Sequence, residues 1–157
     1  MINFIAENTI DETVERLEDF EDHQSLINEL GEIQPGILAY LTSESFDLFS
    51  DEERDFLFFM TLVIVGAIQK QHPDLAVVTE DELGEAEERN WELFEKTKAR
   101  AFRDKLDTFF DKYPQEDLLA FVEDALESDE DSLITKEGRE YLFISLKTVI
   151  DVLTINT

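Results

Sequence analysis

Apolar positions in this chain recur mostly at three- and four-residue spacing, which predicts helices along almost its whole length. Ile10, Val14 and Leu17 form the first stripe, and Thr9 with Glu12 has the spacing of a capping box at its start. The stripe drifts after Phe20, and Ile27, Leu30 and Ile33 restart it, so a kink or break is expected near Asp22. Gly31 and Pro35 punctuate the next boundary, and Ile37, Leu38 and Leu41 predict a short helix after Pro35. Ser50 with Glu53 predicts a helix from Asp51 to about Gln71, where His72-Pro73 stops it. Thr79 with Glu82 opens what reads as the longest helix, running to near Lys112 before Tyr113-Pro114. Residues 115–127 and about 136–153 read as two more helices. LAVV at 75–78 is the one strand-like stretch, and it is short.

The run FLFFMTLVIVGAI at 56–68 is apolar on every side and has to be covered on every side. Thirteen residues make a helix of about 20 Å, too short for a hydrocarbon core of about 30 Å. Asp51, Glu52, Glu53 and Asp55 precede it, where a membrane anchor usually carries Lys or Arg. The fold expected is therefore all-α: a single irregular helical bundle of about six helices, residues 1–157, around a central apolar helix at about 51–71.

Charge then narrows the partners. The 157 residues hold 39 acidic and 13 basic side chains, a formal charge of -26. Such a field repels nucleic-acid phosphate and anionic lipid, so neither is expected as a partner, whereas a basic protein is. Hydrophobic residues at 43% exclude the composition of a disordered chain. Absence of cysteine removes thiol nucleophiles, disulfides and Cys-based zinc sites, and fits the reducing cytoplasm. The N-terminal MINFIAENTIDE lacks the basic region of a signal peptide.

Chemistry-bearing motifs are sparse. The acidic stretch 127–138 has carboxylates at loop positions 1, 3 and 5 (Glu127, Asp129, Asp131). It fails as a calcium loop because Ser132 replaces the turn glycine and Gly138 the bidentate glutamate. Asp19 and His23 share a helical face only if the first helix reaches that far, and no Glu-x-x-His pair occurs. There is no phosphate-cradling loop and no nucleophile elbow, and no motif carries a family resemblance. Catalytic residues, cofactors and metals are accordingly not expected.

Basic residues cluster instead. Residues 96–112 hold six of the 13, against Asp104, Asp107 and Asp111. On one continuous helix, Lys96, Arg100 and Arg103 form a stripe facing away from Trp91, Phe102 and Phe109, a candidate docking stripe for an acidic segment. Lys98 and Lys105 project on the side of Trp91, Phe94 and Phe102, either as snorkelling stems or as the lining of an anion pocket. The aromatic residues themselves read as core.

Three functions are consistent with this pattern. The leading one is a non-enzymatic, inhibitor- or immunity-like module that binds a basic protein through its acidic surface. The second is a small-molecule-binding or enzymatic bundle with an anion pocket near Lys98 and Lys105. The third is a homo-oligomer that shares part of the 56–68 run between copies.

Overall fold

The computed structural model describes residues 2–97, 102–127 and 134–155, and of Arg103 the backbone alone. Eight α-helices follow one another among the described residues: α1 (Glu7–Glu18), α2 (His23–Ile33), α3 (Pro35–Leu41), α4 (Asp51–Gln71), α5 (Glu80–Lys96), α6 (Phe102–Phe110), α7 (Glu116–Leu126) and α8 (Lys136–Thr154). A 3₁₀ turn at Glu44–Phe46 is the only other regular element among them, and they contain no strand. The fold is all-α.

Two of the expected capping boxes form. Ser50 and Thr79 accept from the backbone N–H groups of Glu53 and Glu82, whose carboxylates accept in return from Ser50 and Thr79. The third, at Thr9–Glu12, does not. The helix begins three residues earlier than that cap would start it, at Glu7, whose N–H donates to the Asp117 carboxylate of α7 at 3.0 Å. Glu12 is meanwhile drawn away to Lys70 of α4. A tertiary cap has replaced a local one. The break near Asp22 is present, and Asp22 caps α2 by accepting from Ser25 N at 3.1 Å.

The stretch read as one long helix from 79 to 112 is divided. At Thr97 the backbone turns extended, with ψ of 137°, and α6 begins at Phe102. An unbroken helix of that length would reach about 50 Å, whereas α8, against which α5 packs, spans about 28 Å. Dividing it lets both halves lay their aromatic residues on α8. Trp91 meets the Tyr141 ring at 5.5 Å, while Phe102 and Phe109 both meet the Phe143 ring of the same helix, at 5.9 and 5.4 Å. At the far end Lys112 turns the chain with a φ of 57°.

None of residues 56–68 is exposed, as their composition requires. No helix among the described residues is long and apolar enough to cross a membrane. The most enclosed helix is nevertheless α8, buried almost continuously from Leu142 to Thr154 and packed against α4, α5 and α7. α4 forms the other half of the centre, covered by α1, α2 and α8.

Extended segments are fixed to this frame by amides. Gln115 accepts from Ile5 N at 2.9 Å and donates to Asn3 O at 3.1 Å, and Ile2 N donates to Thr154 O of α8 at 3.0 Å. Gln34 does the same for residues 75–78, accepting from Val78 N at 3.0 Å and donating to Ala76 O at 2.9 Å. This is why LAVV pairs with a side chain and not with a strand. Gly36 of α3 lies against that segment so closely that a Cβ would stand 2.3 Å from Val78 O. Gly36→Ala is expected to cost about 1–3 kcal/mol of stability through overpacking, read as a lowered urea midpoint. An unchanged midpoint would show that the segment yields.

Candidate functional site

Lys105 is the one described member of the lysine pair. Its side chain is 20% exposed, and its ammonium lies 4.5 Å from the centre of the Phe94 ring and 3.8 Å from Glu140. The stem is packed and the charge is met, the arrangement of a snorkelling lysine. Lys98 lies outside the described residues. The stripe of Lys96, Arg100 and Arg103 rested on a continuous helix, and the turn at Thr97 removes that basis. Lys96 ends α5 and is exposed, Arg103 belongs to α6, and Arg100 and the Arg103 side chain lie outside the described residues. Asp19 and His23 are likewise separated by the break, and the His23 ring nitrogen lies 3.2 Å from Leu17 O. Positions 128–133 of the acidic stretch are not among the described residues.

The strongest polar cluster is one the sequence reading passed over. Lys147 is buried on α8, its ammonium 2.9 Å from Asp151 Oδ2 and 2.7 Å from Asn90 Oδ1 of α5. Asn90 donates in turn to Thr148 Oγ1 and Asp151 Oδ2, each at 3.1 Å. The Tyr113 hydroxyl donates to the other carboxylate oxygen of Asp151, and the ammonium also faces the Phe109 and Tyr113 rings. Burial pushes the Tyr113 phenol up from its ordinary value, and the Asp151 carboxylate adds to the push, so Tyr113 remains a donor. Every polar group here is bonded to another, a closed network that ties α5 and the residues after α6 to α8. A lysine and an aspartate at i, i+4 inside the apolar stretch 141–153 were its visible signal.

Open geometry is found on the opposite side, where α1 and α2 flank α4. Leu62, Val65, Gly66 and Gln69 of α4 lie along the floor of a groove of ≈ 240 Å³. Arg16 and Leu17 of α1, with Phe20 just beyond its end, form one wall; Leu26, Glu29, Leu30 and Ile33 of α2 form the other. α2 and α4 each contribute positions at i, i+3, i+4 and i+7, so two helical stripes and the end of α1 converge on one trough. Phe20 remains 44% exposed at its mouth. A second hollow, bounded by Glu12, Thr13, Lys70 and Pro73, continues it along α4 past Arg16 and Gly66.

The segment that walls this groove is strongly acidic. Residues 7–33 contain ten carboxylates and one basic side chain, Arg16. All ten carboxylates are exposed. No family model, no curated protein and no solved structure matches this chain.

Proposed function

We propose that this chain is a non-enzymatic helical module that binds a basic protein through its acidic surface, in an inhibitor- or immunity-like role in the cytoplasm. The observation that carries the reading is the placement of charge over α1, α2 and the turn that joins them: ten exposed carboxylates within residues 7–33, with Arg16 of α1 the single arginine or lysine. Clustered carboxylates of one sign destabilise the chain that holds them, and they steer a cationic partner into encounter. The principal polar network in the interior is bonded to itself, which supports a structural role for it within this reading.

Capture from native lysate at low salt, with elution at rising salt, tests this when wild type is compared with a charge-reversed α1–α2 face (Glu15, Glu18, Glu21 and Glu29 to Lys). One stoichiometric basic protein is expected on the wild type, released by salt and absent from the variant. A partner indifferent to salt, or retained equally by the variant, would overturn the reading.

A further inference from the structure

We infer that the groove between α1 and α2 seats an apolar side chain carried on a basic helical segment of the partner protein. This rests on the acidic-surface reading above and adds where the partner sits and what it presents. The starting point is unfinished burial. A helix of a soluble protein normally covers its apolar stripe, yet here Phe20 is exposed and Leu26, Ile33 and Leu62 are only half-covered. An apolar cavity of about 150 Å³ takes a benzene ring, so a groove of ≈ 240 Å³ admits a Phe or Leu side chain. The glycine at position 66 leaves the middle of the floor without a side chain. A Cβ there would stand 3.1 Å from both Arg16 Nη2 and Thr13 Cγ2. The groove and its continuation follow α4 from Leu62 to Lys70, about 12 Å of helix, which matches about two turns of a docked segment.

Charge selects among occupants. A second copy of the chain would bring a formal charge of -26 against another of -26. An anionic membrane meets the same repulsion. A free apolar carboxylate would find Arg16 but would have to approach through the ten carboxylates of residues 7–33. A helix with Leu, Met or Phe on one face and Lys or Arg on the other satisfies both the apolar floor and the acidic rim. In such interfaces a buried apolar anchor supplies affinity and the rim charges supply rate and register.

The test uses two synthetic peptides of equal length and charge, one an amphipathic Leu/Lys helix and the other its Ser/Lys counterpart. They are titrated into the full chain with amide shifts followed by NMR. The Leu/Lys peptide is expected to bind about tenfold more tightly, with shifts concentrated on Leu17, Leu26, Leu30 and Val65. Phe20→Ser, at an exposed position, is expected to remove that advantage and leave Ser/Lys binding unchanged. Equal binding of the two peptides, with shifts spread over the acidic surface, overturns the groove while leaving the acidic-surface reading intact. No binding of either at low salt overturns both. Saturation of the groove by decanoate at matching affinity, or dimerisation in sedimentation that Phe20→Ser abolishes, replaces the basic helix with that occupant.

Discussion

Asp151→Ala is expected to lower folding stability by about 3 kcal/mol, the low end for removing one partner of a buried ion pair. Its carboxylate binds the Lys147 ammonium at 2.9 Å, an Asn90 N–H at 3.1 Å and the Tyr113 hydroxyl. Removal leaves an ammonium that is 8% exposed with only Asn90 Oδ1 and two aromatic faces. The 16% exposure of Asp151 lets water reach part of the gap, which keeps the cost from rising further. The pair itself is a different quantity from either half. Lys147→Met with Asp151→Leu removes both charges together and is expected to cost less than Asp151→Ala alone, since no unpaired charge remains. Urea unfolding of the three chains checks both statements. A loss below about 1 kcal/mol for Asp151→Ala would mean that Lys147 finds solvent when released.

Gly138→Ala is the second large effect, expected at about 2–4 kcal/mol. Glu53 accepts from Ser50 N at the start of α4 and from both Thr135 N and Thr135 Oγ1 at the start of α8. One carboxylate therefore caps two helices, where negative charge is favoured at both amino ends. A Cβ at Gly138 would lie 1.8 Å from Glu53 Oε2, so the carboxylate has to leave. The estimate combines about 1 kcal/mol for each lost cap with the exposure of donors that lose a charged acceptor. The same node gives an acid dependence. Burial pushes the Glu53 carboxyl up, but the hydrogen bonds from Ser50 and Thr135 together outweigh it and hold the group below its ordinary value. A lowered folded value means that the stabilisation is complete above the ordinary glutamate value of about 4.3 and is lost as pH falls through the folded one. Wild type should therefore lose more stability than Glu53→Gln between pH 6 and pH 3, in the common background of acid unfolding. Parallel losses would place the charge of Glu53 outside the balance.

The parts of the fold that were legible in the sequence are those set by neighbours in the chain. Asp51–Gln71 could be bounded because Ser50, Glu53 and Pro73 act locally, and the break near Asp22 could be placed because the apolar stripe restarts at Ile27. What escaped was set by distant residues. Asp117 starts α1 ahead of its own Thr9, and the Phe143 ring fixes where α5 has to end so that Phe102 and Phe109 can reach it. Lys147 was hidden for a related reason: a charge on an apolar helix looks out of place until Asn90, 57 residues away, is brought beside it. The acidic face was legible as composition and the groove was not. The stripes of α2 and α4, each unremarkable on its own helix, become a groove only because the end of α1 lies beside them.

The position of α8 also fixes an order of events during synthesis. It is made after the seven helices described before it, yet α4, α5 and α7 all pack on it, and Ile2 is held by Thr154. While the ribosome still encloses residues 136–154, Phe102, Phe109 and Trp91 lack the α8 rings they pack on, and the network around Asn90 lacks its lysine. Local pieces such as the α1–α2 turn can form on the way out, but the interior closes only once this helix has emerged. The nascent chain carries its strong negative charge through that interval, and mutual repulsion between neighbouring chains then protects apolar surface that nothing else yet covers.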